Sequence, residues 1–169
     1  VASVKIGEST TYFETLADAV ALADDGTETA PATLTLLSDI NLGSDYQEIT
    51  SGVFTLDLNG KTLKSVGKYV LCVYRNGVDV TIEDTGVGGT ITGSNYGVYA
   101  YWNCTLTIGG GTITGSERGI YASGCKVFIS GGTITGKYAV RTASNSTVTI
   151  SGGTIRSNVS GVYADDGTV

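Results

Sequence analysis

Few side chains in this sequence could do chemistry, and they are unevenly placed. There is no His among the 169 residues. In the regular middle of the chain the acids are Asp79, Glu83, Asp84 and Glu117. Glycoside hydrolysis needs two carboxylates on either side of the scissile bond, one as acid and one as base. Asp84 lies two residues before Gly86 and reads as a turn acid, so the four carboxylates read as solvated turn residues and no catalytic residue is assigned. The tyrosines are more suggestive. Eight of the ten (Tyr69, Tyr74, Tyr96, Tyr99, Tyr101, Tyr121, Tyr138 and Tyr163) fall in or beside one strand position of a repeating unit. Alignment of the units gives an outward ladder of Cys72, Tyr99, Tyr121, Arg141 and Tyr163, with Tyr74, Tyr101 and Trp102 beside it. Stacked aromatics on a rigid face suit sugar rings, whose apolar faces pack on π-surfaces while the hydroxyls hydrogen-bond at the edge. The stronger reading of the same ladder is structural, because like residues one coil apart stabilise each other as cross-strand pairs. Ligand contact by Tyr74, Tyr99, Tyr101, Trp102, Tyr121, Arg141 and Tyr163 is therefore weighed against a purely structural ladder.

The cysteines leave a similar choice. Cys104 precedes Ile108 by four residues and Cys125 precedes Ile129 by four, so they share one inward position in adjacent units. Stacked strands bring Cα atoms to about 4.8 Å, inside the usual disulfide range of about 4.4–6.8 Å. Both a buried pair of thiols and a Cys104–Cys125 disulfide fit. Cys72 is left over with outward parity. No Cys-x-x-Cys or Cys/His spacing is present, so no metal site and no cofactor are expected.

The element that must position these residues is a phrase said four times. It reads Gly88-Gly89-Thr90-Ile91-Thr92-Gly93, returns at 110–115 and 131–136, and decays to Gly152-Gly153-Thr154-Ile155-Arg156-Ser157. The first Thr recurs at intervals of 22, 21 and 21 residues. A fixed period of this size marks a solenoid, whose units cannot bury a core alone and must stack. Thr-Ile-Thr alternates with period two, which specifies strands. Three strand columns follow. One points Leu63, Ile91, Ile113, Ile134 and Ile155 inward. A second does so with the pairs Val80/Ile82, Leu106/Ile108, Val127/Ile129 and Val148/Ile150. The third uses Leu71/Val73, Val98/Ala100, Ile120/Ala122, Val140/Thr142 and Val162/Ala164. About six coils of three short parallel strands would make a rod about 30 Å long.

Ahead of the stack, Val4-Lys5-Ile6 and Tyr12-Phe13 read as a hairpin. Leu16 to Ala23 reads as a helix with Thr15 as N-cap, Asp18 three residues on, and an apolar stripe of Leu16, Ala19, Val20 and Ala23. Residues 1–32 are expected to cap the first coil, and 33–169 to form the solenoid. Residues 43–52 are expected to be an excursion loop.

Composition narrows the function. Gly is abundant at 25 residues against one Pro, which fits many tight turns between strands. Ten basic side chains stand against sixteen acidic ones, a net charge of −6 without a run of Lys or Arg. Nucleic acid is therefore not expected as a partner, since its binding needs a cationic stripe. No apolar run approaches a membrane span. Thr90/Thr92, Thr112/Thr114 and Thr133/Thr135 form an outward grid that resembles those of ice-binding solenoids, but Arg156 ends it after three coils, and Thr is simply a good strand residue.

The pattern resembles the right-handed parallel β-helices of the pectate-lyase-like superfamily. It is most similar to β-helical repeat domains in surface proteins of Gram-positive, often gut, bacteria. The residues that carry the resemblance are Tyr12 through Val20, Leu36-Leu37-Ser38-Asp39-Ile40, Leu56 to Leu63, and the Gly-Gly-Thr-Ile repeats. The resemblance implies an all-β, right-handed parallel β-helix with an N-terminal hairpin and helix cap. It implies a secreted or cell-surface location and a stalk or adhesin role, with glycan binding or lyase-like activity as the alternative. Lyases of that superfamily need carboxylates converging on Ca²⁺ beside a basic residue, and the acids named above do not supply that set. A glycan or a host or surface protein is the expected partner. Gly161 to Val169 read as the start of an unfinished coil, so continuation of the parent protein and self-association through that open end are also expected.

Overall fold

The computed structural model describes residues 1–169. The chain begins with an antiparallel hairpin, β1 (Ala2–Ile6) and β2 (Ser9–Phe13), followed by helix α1 (Leu16–Ala23). Thr15 caps the helix: its hydroxyl oxygen accepts from the Asp18 N–H at 3.1 Å and its hydroxyl donates to the Asp18 carboxylate at 2.6 Å. Leu16, Ala19, Val20 and Ala23 are the buried face, as the helical spacing requires. The first coil consists of β3 (Ala32–Leu36), β4 (Ile40–Asn41) and β5 (Gln47–Ile49). β1 pairs antiparallel with β3 and so closes the edge of that column.

The second coil is β6 (Val53–Asp57), β7 (Thr62–Ser65) and β8 (Leu71–Tyr74). The third is β9 (Asp79–Glu83), β10 (Thr90–Gly93) and β11 (Tyr96–Tyr101). The fourth is β12 (Thr105–Ile108), β13 (Thr112–Gly115) and β14 (Arg118–Ser123). In the fifth, β15 (Lys126–Ile129) precedes β16 (Thr133–Ala143), and in the sixth β17 (Thr147–Ile150) precedes β18 (Thr154–Ala164). β16 and β18 each run through two columns without a break, which joins those columns into one sheet. From β3 onward every pairing between coils is parallel. The fold is a parallel β-solenoid of about six turns with one short helix at its N-terminal end.

The register matches the periodicity. Leu63, Ile91, Ile113, Ile134 and Ile155 pair in one row, and the first four are fully buried. Val80/Ile82, Leu106/Ile108 and Val127/Ile129 form the second ladder, and Leu71/Val73, Val98/Ala100 and Ile120/Ala122 the third. All of these belong to one continuous core. Each buried aliphatic side chain contributes about 1.5–3 kcal/mol. The second glycine of the repeated phrase takes positive φ in three coils (Gly111 75°, Gly132 74°, Gly153 83°), a conformation that L residues avoid.

One expected loop contains a strand. Residues 43–52 are not wholly an excursion, because Gln47–Ile49 pair with Leu71–Val73 and found the third column. A single inward residue, Ile49, anchors this strand, so sequence alternation could not mark it.

Candidate functional site

The third column presents three outward rows. One reads Tyr96, Arg118, Tyr138 and Ser160. The next reads Glu48, Cys72, Tyr99, Tyr121, Arg141 and Tyr163. The last includes Tyr74, Tyr101, Ser123 and Ala143. The period-two geometry of a strand sends alternate residues to this face, and the parallel register aligns them from coil to coil.

The rings stack on one another. Tyr99 and Tyr121 lie 5.3 Å apart at 10°, Tyr74 and Tyr101 4.7 Å apart at 10°, and Tyr69 and Tyr99 5.0 Å apart at 23°. Tyr46 meets Tyr69 edge-on at 5.6 Å, and Trp102 stacks on Tyr74 at 5.8 Å. Stacking along the coil axis uses the ring faces inside the layer and leaves ring edges and hydroxyls toward water. Trp102 and Tyr163 are the most open members of the predicted set, at 58% and 43% exposure.

Two guanidinium groups are inserted in this layer. Arg118 lies over the rings of Tyr96 (4.5 Å) and Tyr121 (4.8 Å). Arg141 lies over Tyr163 at 5.3 Å and over Tyr121 and Tyr138 at 5.9 Å. Such contacts are worth about 0.5–2 kcal/mol according to solvation. Arg141 also pairs with Asp165 at 2.9 Å, whereas Arg118 has no carboxylate partner and meets the Tyr96 hydroxyl. Burial and the neighbouring Arg141 charge lower the pKa of Arg118. The layer therefore contains all seven residues expected from the sequence, and it also takes in Tyr46, Tyr69, Tyr96, Arg118 and Tyr138. Arg118 was legible in principle: it precedes Tyr121 by three, as Tyr96 precedes Tyr99 and Tyr138 precedes Arg141.

The layer also roofs Cys72. Its side chain points outward and yet is only 4% exposed. Burial, with a smaller push from the Glu48 charge, raises its thiol to about 12. Tyr99 is likewise raised to about 12, first by burial and then by its tyrosine neighbours. On the inner side Cys104 and Cys125 are free thiols with Sγ atoms 2.7 Å apart. The contact with Cys125, together with burial, raises the Cys104 thiol.

The acids have other work. Asp84 accepts from the backbone N–H of Gly60 at 2.7 Å and of Gly89 at 2.8 Å, tying together turns of consecutive coils. Asp57 accepts from Asn59 N–H and Thr85 N–H, both at 2.9 Å, and from the Thr85 hydroxyl at 2.6 Å. Asp79 stands at the opposite end of its strand from Asp84, and its carboxyl is raised by partial burial and by the Glu28 charge. No group of three or more His, Cys, Asp or Glu side chains is placed to hold a metal ion. No helix is long and apolar enough to cross a membrane.

A polar groove adjoins the arginine-bearing coils. Thr114, Gly115, Ser116, Thr135, Gly136, Lys137, Arg156, Ser157 and Asn158 line a volume of about 450 Å³ at the corner between the first and third columns. No apolar side chain contributes to it.

Comparison with family models, curated proteins and solved structures finds no match. The functional reading therefore rests on the geometry of this face, this groove and these turns.

Proposed function

We propose that this chain is a non-catalytic β-helical module of a bacterial surface or secreted protein, acting as a stalk or adhesin at the cell surface or outside the cell. The observation that carries this reading is the commitment of Asp57 and Asp84 to backbone amides of adjacent turns. These two carboxylates are spent on holding coils in register and are not aimed at solvent. The continuous aliphatic core supports the same role, since coils that stack on one shared core make an extended body. The likeness of the repeats to β-helical domains of Gram-positive surface proteins, within a pectate-lyase-like fold, points the same way.

A second reading, a glycan-binding or polysaccharide-active domain, is favoured by the aromatic face, where Trp102 and Tyr163 offer open ring surface. A glycan array with the isolated domain separates the two, as does a screen of acidic polysaccharides for unsaturated products. The stalk reading expects no unsaturated product. Product release that is lost in an Asp79→Asn variant of unchanged stability would replace it with an enzyme.

A further inference from the structure

Two asparagine–glycine pairs occur in the chain, Asn59-Gly60 and Asn76-Gly77. In such a pair the glycine nitrogen can attack the asparagine side-chain amide, because no β-carbon on the second residue crowds it. The fold treats the two pairs in opposite ways. At the first, the groups the reaction needs are engaged. The Gly60 N–H donates to Asp84 at 2.7 Å, and the Asn59 side-chain NH₂ donates to the Leu36 carbonyl at 2.9 Å. The backbone of Val87, from the next coil, covers the pair: a Cβ on Gly60 would stand 3.1 Å from the Val87 carbonyl oxygen.

At the second pair the same groups are free. Asn76 and Gly77 are exposed in the turn between β8 and β9. The Gly77 N–H and the Asn76 NH₂ donate to nothing in the protein, and a Cβ on Gly77 would meet nothing within 4 Å. The one contact of the Asn76 amide is at its oxygen, which accepts from the Asn103 side-chain NH₂. That donor draws charge off the amide carbon and faces the oxygen that becomes an oxyanion when the carbon is attacked. The turn also carries strain, since Arg75 sits at φ 123°, a region that residues with a β-carbon avoid.

We propose that Asn76-Gly77 is a site of self-modification, where the folded chain converts asparagine to isoaspartate and aspartate, while Asn59-Gly60 is protected by the coil above it. The Gly77 nitrogen gives up its proton to solvent base and bonds to Asn76 Cγ. The Cγ–Nδ2 bond breaks and the side-chain nitrogen leaves as ammonia, closing a cyclic imide. Water then opens the imide at either carbonyl. One opening gives aspartate; the other routes the main chain through Cγ and gives isoaspartate. The net change is one water taken up and one ammonia released, with no oxidant or reductant. The product adds a carboxylate beside Arg75, whose guanidinium lies 5.5 Å from the Tyr74 ring centre, so the edge of the tyrosine layer carries the change. Isoaspartate also adds a carbon to the main chain at a turn that must hold the spacing between coils.

The test is peptide mapping by mass spectrometry of the full chain, held folded in mildly alkaline buffer and, in parallel, in denaturant. In the folded protein the peptide containing Asn76 should gain the mass difference between an amide and a carboxylic acid, and its product should separate into isoaspartate and aspartate forms. Asn59 should stay unchanged there. In denaturant both pairs should convert, because the contacts that protect Asn59 are gone. Gly77→Ala, compared in denaturant so that its strained backbone plays no part, should lose most of the Asn76 product over the same interval. The proposal is overturned by an Asn76 that stays intact in the folded protein while it converts in denaturant, by Asn59 converting as fast as Asn76 in the folded protein, by a product that is aspartate alone, or by Gly77→Ala converting as fast as the parent.

Discussion

Replacing Asp84 separates a structural acid from a chemical one. Its two oxygens accept from Gly60 N–H at 2.7 Å and Gly89 N–H at 2.8 Å, and Gly89 lies so close that a Cβ there would stand 2.5 Å from Oδ1. Hydrogen bonds to a charged partner contribute about 1.5–3 kcal/mol each. The carboxylate is only part-buried, so the lower figure applies, and Asp84→Ala should cost about 3 kcal/mol for the two. Against a total stability of about 5–15 kcal/mol that is a large share. For a domain of this size each kcal/mol moves the melting temperature by about 2–4 °C, so a fall of about 6–12 °C is expected. Asp84→Asn keeps one acceptor and turns an amide NH₂ toward the other N–H, so it should recover no more than half of the loss. Glu83→Ala, one residue away and exposed, should stay within about 0.5 kcal/mol of the parent. Denaturant titration and thermal melts of the three variants measure this. If Asp84→Ala melted with the parent protein, the carboxylate would be free of the structural role assigned to it, and the case against chemistry at this turn would collapse.

Other perturbations test the register, the inner thiols and the outer layer. Ile113→Asp places an unpaired charge at a fully buried position and should cost several kcal/mol, enough to unfold the stack, while Thr112→Ala should cost less than about 1 kcal/mol; equal damage in circular dichroism melts would mean that the faces are misassigned. Oxidation by molecular oxygen or a small disulfide reagent should join Cys104 to Cys125 with loss of one hydrogen from each sulfur. Under denaturing conditions one of the three thiols would then remain titratable, with a stabilisation of about 3 kcal/mol for a loop of this length. Three titratable thiols after oxidation would refute it. Alkaline melts test the aromatic roof. Cys72 and Tyr99 titrate from 9.0 and 10.0 in the unfolded chain to about 12 in the folded one, so their stabilisation is complete below the unfolded values and is lost as pH rises toward about 12. Tyr99→Leu should blunt that fall, and an unchanged alkaline profile would contradict the burial assigned to Tyr99.

The core was legible because two periods coincide in it. The strand period of two selects Ile91, Ile113 and Ile134 as inward residues, and the coil period places them in one row. The Thr15–Asp18 cap was legible for a local reason, since its hydrogen bonds span three residues. Strand β5 was not, because Gln47-Glu48-Ile49 bury a single apolar side chain and their pairing with β8 is what makes them a strand. The tyrosine rows could be drawn from the sequence, but the direction of the ring faces could not. Ring orientation depends on what stands one coil away. The groove escaped notice because it spans a corner between columns, which β16 and β18 cross without a break, and Arg156, read as a break in the threonine grid, becomes one of its cations.

A repeat makes every coil alike, so a localised site must come from the places where the repeat is broken. Arg141 replaces the tyrosine of its row, Arg156 replaces the threonine of its own, and Arg118 stands in the row of Tyr96 and Tyr138. Successive coils are spaced by about 4.8 Å, so two cations in consecutive rungs of one row would repel strongly. The sequence avoids this by placing Arg118 and Arg141 in different rows, each with tyrosines on both sides in its own row. The rings lie under each guanidinium, while the Arg141 charge still reaches Arg118 and helps lower its pKa. A stack that needed only stability would gain more from unbroken tyrosine rows, because an inserted guanidinium must be partly desolvated. The substitutions gather in the fourth to sixth coils, where five cations stand against Glu117, Asp165 and Asp166. The same coils carry the groove, and it is there that binding by this rod should be sought.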